Sequence, residues 1–197
     1  MQKERPKLAA PFCVLKYFDR DNQMNTESQT SVQSTSGRLE QISVSPNGGV
    51  PKLPIESTMI HLDRVEGDKQ NNRKYHGGPE RAVCLYSLER IQALQSEGHP
   101  IEAGCAGENL TFAGLDWNDI QPGVMLHIGS EVVLQVASYT KPCFKIKAYF
   151  VDEDFARIWQ RKQPGWSRVY ARVLVPGRVQ RGDMVQIEKA IEIEESA

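Results

Sequence analysis

From Gly37 onward the chain sets short apolar runs between turn residues. In "RLEQISVS" Leu39, Ile42 and Val44 alternate imperfectly with polar side chains before the turn "PNGG". "STMIHLDRV", "RAVCLYS" and "ENLTF" follow as further runs of β character. "VMLHIG" and "EVVLQVASY" flank Gly129-Ser130, a hairpin connection, and "RVYARVLV" and "DMVQIEK" are joined by the Pro- and Gly-bearing "PGRVQRG". At least seven strands at this spacing predict a mainly β fold. A sheet that closes on itself hides its edges, so a closed, irregular β-barrel is the expected architecture.

Helical periodicity is confined to two stretches. "SLERIQALQSEG" places Leu88, Ile91 and Leu94 on one face, with Ser87 as N-cap and Gly98 as the stop. "DEDFARIWQRK" offers Phe155, Ile158 and Trp159 at helical spacing, acids in its first turn and bases in its last. Both are expected to be short packing helices against the barrel, their apolar residues belonging to the core.

Outside the barrel pattern, residues 19–36 are polar and rich in Ser, Thr and Gln. Such a stretch buries too little to offset its ordering entropy. We therefore expect an N-terminal extension at 1–36, partly a flexible linker, a barrel domain at 37–190 and an acidic tail at 191–197. A chain of 197 residues is long enough to hold one sizeable core. Its 24 Lys and Arg balance 25 Asp and Glu, so no global charge draws it to nucleic acid or an acidic membrane. The four cysteines, Cys13, Cys84, Cys105 and Cys143, form no CxxC and read as free thiols of a reducing compartment. No apolar run approaches the roughly 18 residues that span a bilayer, and the start lacks the apolar stretch of a secretory leader. The expected location is the cytoplasm.

Four stretches hold more glycine, charge and amide than a barrel needs. In "NGGVPKLPI", Lys52 sits between two prolines in a stiffened loop that suits an anion; by itself the segment also reads as a hairpin turn with a solvated lysine. "EGDKQNNRKYHGGPERAV" gathers Lys69, Arg73, Lys74, His76 and Arg81 around Gly77 and Gly78, where bare backbone and guanidinium forks could meet a phosphate, or where a basic loop could face water. "AGCAGENLTFAGLDW" brackets Glu108 and Asn109 with glycines, either to aim them inward or to satisfy the turn's own amides. In "SYTKPCFKIKAYF", Pro142 fixes the backbone before Cys143. A cysteine in apolar company is ordinarily a small core residue, as Cys84 in "AVCLY" reads. Lys141, Lys145 and Lys147 change the picture for Cys143, because a nearby base would favour the thiolate, the form that acts as nucleophile or soft-metal ligand.

Taken in order, "GGVPK", "GD" followed by "HGGPERAVCLYS", "GENLTFAGLDW" and "KPC" resemble the MOSC domain, named for the C-terminal domain of molybdenum cofactor sulfurases, and its small stand-alone bacterial members above all. The resemblance runs from about Gly37 to Glu188. It implies a barrel of the MOSC or pyruvate-kinase-barrel kind and a site for a molybdopterin-type molybdenum cofactor. Cys143 matches the family's characteristic cysteine, expected to bind the metal or carry cofactor sulfur. By motif position Lys52, Arg73, His76, Gly77, Gly78, Arg81, Glu108, Asn109 and Lys141 are the candidates to hold the cofactor. The implied activity is reduction of N-hydroxylated compounds, such as amidoximes and N-hydroxylated nucleobases. The alternative is a non-catalytic carrier of the cofactor or of persulfide sulfur. No pyridoxal phosphate, flavin, haem or iron–sulfur module is expected in this chain, so a reductase would draw electrons from a separate protein. Two departures stand out. Lys141 lies where many relatives place an arginine before the proline-cysteine pair, and Cys105 and Ala106 are small where a bulkier residue is expected.

Overall fold

The computed structural model describes residues 36–70 and 77–188. The chain divides into Met1–Val32 and Gln33–Ala197, and every described residue belongs to the second unit. The expected extension at 1–36, apart from Ser36, and the tail at 191–197 therefore lie outside the described residues.

Ten strands occur among them: β1 (Ser36–Val44), β2 (Leu53–Ile55), β3 (Ser57–Ile60), β4 (Val83–Ser87), β5 (Leu110–Ala113), β6 (Met125–Ile128), β7 (Val132–Tyr139), β8 (Val169–Val175), β9 (Gly177–Gln180) and β10 (Met184–Glu188). The main sheet runs β10-β6-β7-β8-β4-β5-β1, and pairing of β10 with β1 closes it into a seven-stranded barrel, with β2 added alongside β1. β3 and β9 form a separate two-stranded ribbon. This is the closed, mainly β architecture that the hydrophobic pattern predicts.

Alternation explains most of the barrel wall. Val132, Leu134 and Val136 of β7 are buried, as are Val169, Ala171 and Val173 of β8 and Val185 and Ile187 of β10. The imperfect alternation of β1 has a local cause: its register against β5 shifts between Leu39 and Gln41, which lets Leu39 and Ile42 both turn inward. Each buried Val, Leu or Ile side chain among these contributes about 1.5–3 kcal/mol relative to exposure.

All neighbouring strands in the barrel are antiparallel except β4 and β5, which run parallel. A parallel neighbour requires a crossover, and the helix α1 (Leu88–Ser96) supplies it. Ser87 caps α1, its Oγ accepting the Arg90 N–H at 3.1 Å, and Ile91 and Leu94 are its buried residues. The crossover returns through residues 97–109, a loop that becomes one wall of the site.

The second predicted helix is not one. Residues 151–158 form two short 3-10 turns, Val151–Glu153 and Phe155–Ile158. Asp152 and Glu153 adopt φ of 54° and 55°, left-handed angles that an α-helix cannot contain. The apolar spacing still serves burial, since Ile158 is fully enclosed. A third 3-10 turn, Phe144–Tyr149, begins directly after Cys143. Among the described residues no helix is long and apolar enough to cross a membrane.

Candidate functional site: a basic pocket with a half-exposed thiol

One pocket gathers side chains from the loop after β1, the loop before β4, the 104–109 return loop, the 141–146 segment and the start of β8. Six bases line it, Lys52, Lys69, Arg81, Lys141, Lys145 and Arg168, together with the thiols of Cys84 and Cys143. Asp68 is the single carboxylate among the described lining residues. So many cations around one recess favour an anionic ligand.

Local structure fixes the walls. Lys52 N–H donates to the Gly104 carbonyl at 3.0 Å, and a Cβ on Gly104 would run into the Lys52 carbonyl. With φ at 91°, Gly104 is a position where only glycine is unstrained. The Gly104 N–H in turn donates to Glu108 Oε1 at 2.7 Å. Glu108 is fully buried and stands behind the pocket wall, holding the turn. Burial pushes its carboxyl above the ordinary carboxylate range, and Oε2 has no partner.

Asn109 lines the pocket, yet its amide is committed elsewhere. Oδ1 accepts the Cys84 N–H at 3.2 Å, and Nδ2 donates to the Ser43 carbonyl at 3.2 Å and to Asp68 Oδ2 at 3.0 Å. Asp68 Oδ1 accepts the Ser45 N–H at 2.8 Å, while Oδ2 also accepts from Lys52 Nζ at 2.6 Å. The Lys52 charge is thereby held and partly balanced.

Arg81 ends a 3-10 turn that starts at Pro79 and lies 5.9 Å from the centroid of Tyr170. Lys141 Nζ lies 5.5 Å from the Trp159 ring centroid. Lys145 lines the pocket, whereas Lys147 turns to Glu153 at 2.9 Å and is not among the lining residues. Of the two glycines before Pro79, Gly77 lines the pocket and Gly78 does not. Arg73 and His76 lie outside the described residues.

The thiols differ sharply in setting. Cys143 is half-buried, with an extended backbone, and its carbonyl accepts the Ile146 N–H. Cys84 is 4% exposed. Burial pushes its thiol up, opposed by the cations Arg168 and Lys52. It is thus buried, as "AVCLY" implies, and also part of the pocket lining. Cys105 is buried, and burial pushes its thiol up as well.

Sequence reasoning missed Arg168 and Tyr170. Arg168 is 7% exposed and one of its Nη atoms donates to the Ala106 carbonyl. Its signal in the sequence is slight: one charge directly before the alternating run "VYARVLV". The backbone of Arg168 accepts the Thr140 N–H at 2.9 Å. A guanidinium thus enters beside the very segment whose own base is a lysine. Tyr170 pairs with Cys84 across β8 and β4, and burial pushes its phenol well above the ordinary range.

The sequence model of the MOSC domain matches residues 72–186, and the chain belongs to that family. It is 33% identical over 153 residues to YflK of Bacillus subtilis, covering 74% of this chain and 67% of that one. A protein named Reductase from Gibberella moniliformis is 29% identical over 117 residues, 57% of this chain but only 20% of the fungal one. The crystal structure of YiiM from Geobacillus stearothermophilus superposes with a TM-score of 0.62 at 24% identity, covering 79% of this chain and 77% of that one. That likeness establishes the fold.

Proposed function

We propose that this pocket binds a molybdenum–pterin cofactor and that the protein reduces N-hydroxylated compounds with electrons from a separate protein. The observation that carries the reading is the convergence of six bases on a pocket that also exposes the Cys143 thiol. Such a cofactor is a phosphate-bearing, sulfur-rich anion, and the residues present fit it. The buried Nε of Arg168 lacks a partner, Lys69, Lys141 and Lys145 add positive charge, and Cys143 offers a thiolate ligand. When bound, the cofactor supplies a metal that cycles by two electrons and accepts oxygen.

The chain's own residues do the rest. Lys52 and Asp68 hold the floor rigid, and the bases compensate the ligand's charge. Burial holds the Tyr170 phenol protonated, which makes it a hydrogen-bond donor rather than an acid, so the two protons that turn an N–OH group into N–H and water come from solvent. A membership that includes a relative named Reductase supports the redox reading over a purely structural one.

Molybdenum and pterin content test this reading, measured on wild type and Cys143→Ser from a cofactor-producing host. Amidoxime reduction is assayed alongside, with reduced viologen as donor. Near-stoichiometric molybdenum and turnover in wild type, with both lost in Cys143→Ser, are expected. Pterin without turnover points to a cofactor carrier. Absence of both from folded wild type overturns the reading.

A further inference from the structure

Arg168 carries a charge that no acid among the described residues pairs with. It is 7% exposed, its side chain's one hydrogen bond among the described residues goes to the neutral Ala106 carbonyl, and Nε is buried with no partner. Among the described residues no ion pair joins it to an acid. Three other arginines bury an unpartnered nitrogen, but each has company for its charge. Arg157 sits on Glu97 and the Trp166 ring, Arg90 lies 4.8 Å from the Trp166 centroid, and Arg172 pairs with Glu80. The fully buried Glu108 does not take that role, since it spends Oε1 on Gly104 and leaves Oε2 unpartnered.

Taking a guanidinium out of water costs more than one bond to a carbonyl returns. A protein that keeps such a group beside a pocket is built for a ligand that completes it. The lining is also graded in burial. Arg168 and Cys84 are enclosed, Cys143 is half-buried, and Lys141 and Lys145 are exposed.

We propose that Arg168 is the deep anchor for an oxyanion of the phosphate class, so that the pocket's ligand lies with its phosphate toward Arg168 and the Ala106–Gly107 turn and its thiol-seeking end toward Cys143. The assignment of the second end rests on the cofactor reading above; the anchor itself does not. Gly107 supports the placement. Its φ is 88°, and a Cβ there would come within 3.2 Å of Val50 and 3.7 Å of the Arg168 guanidinium, so the bare backbone leaves room beside the charge.

The proposal implies that the ligand-free protein is destabilised by its own anchor and that an anion repairs it. Pyrophosphate is the probe, added to cofactor-free full-length protein, with affinity read by titration calorimetry and stability by thermal melting. Wild type is expected to melt higher with pyrophosphate. Arg168→Met is expected to bind it at least tenfold more weakly and, without anion, to melt no lower than wild type. Lys145→Met, which removes an exposed base, is expected to weaken binding by no more than a few-fold. Should Arg168→Met fail to fold, Arg168→Gln keeps a donor for the Ala106 carbonyl and is held to the same tenfold loss. Undiminished binding in the folded Arg168 variants, or none in wild type, overturns the anchor. Molybdenum loading distinguishes the two readings: an Arg168 variant that loads normally refutes the anchor and leaves the cofactor reading standing, whereas wild type that binds pyrophosphate but never loads refutes only the latter.

Discussion

Asn109 Nδ2 donates to Asp68 Oδ2 over 3.0 Å, joining residues that lie on opposite sides of the β4–α1 crossover. The same asparagine is fixed by its backbone, whose N–H donates to the Cys84 carbonyl and whose C=O accepts from Ser43, both at 2.7 Å. It therefore continues the sheet between β1 and β4 just before β5 begins, while its side chain repeats the bridge with Cys84 and Ser43. Asp68 passes the constraint to Lys52. The amide in the pocket wall is thus scaffold first, and the lysine's position depends on it.

Replacing Asn109 tests that brace. Asn109→Ala leaves the Cys84 N–H, the Ser43 carbonyl and one Asp68 contact unsatisfied in a buried setting. Each orphaned group costs roughly 1–3 kcal/mol, so a total loss of about 3 kcal/mol is expected in urea unfolding. A variant as stable as wild type would show that water replaces the amide.

Glu108 gives the stability a pH signature. Burial raises its folded-state pKa above the ordinary 4.5, although the Gly104 N–H, Arg168 and Lys52 oppose this. The folded protein then holds this proton more tightly than the unfolded chain. Its contribution is full below about pH 4.5 and is lost as pH rises through the folded value. Glu108→Gln keeps an acceptor for Gly104 and removes the titration. The wild-type-minus-variant melting difference is expected to turn against wild type as pH rises; a flat difference would mean that the carboxyl titrates normally.

The strands are legible because short apolar runs lie between turn residues, alternating in β6, β7, β8 and β10 and continuously buried in β4, and every run read as a strand forms one. β2 and β9 escaped notice for physical reasons. "LPI" is three residues long, carries a proline and is largely exposed, and β9 lies in a segment whose Pro and Gly read as a connection. The "DEDFARIWQRK" helix was overcalled because side-chain periodicity does not report the left-handed angles at Asp152 and Glu153. In the site, the glycine-bearing motifs and the proline-cysteine pair point to Lys52, Gly77, Arg81, Asn109, Lys141 and Cys143, all of which line one pocket, and also to Gly78 and Glu108, which do not. Arg168 was invisible, since one arginine at a strand end ordinarily faces water and only the tertiary fold shows it enclosed.

Thiol reactivity separates the three described cysteines. Cys84 and Cys105 are 4% and 8% exposed, and burial pushes both thiols up. Alkylation requires access and thiolate. Iodoacetamide on native protein, followed by peptide mass spectrometry, is expected to modify Cys143 at least tenfold faster than either. Equal labelling of Cys84 would mean that the pocket opens readily to its floor.

Closure of the barrel rests on a residue without a side chain. Gly37 pairs with Val185 at the β1–β10 seam, and its backbone is not in the left-handed region. What it lacks is space: a Cβ would lie 2.5 Å from the Ala113 carbonyl oxygen and 2.6 Å from Leu115 Cγ. The carbonyl belongs to β5, so relief requires moving one strand of the ring against another. Overpacking of this kind costs about 1–3 kcal/mol. Gly37→Ala is therefore expected to lower the melting temperature although alanine is otherwise the better residue for stiffening a chain, and Gly37→Val to lower it further. If Gly37→Ala melts at or above wild type, β1 yields at this seam and the ring is held elsewhere, along β6, β7 and β8.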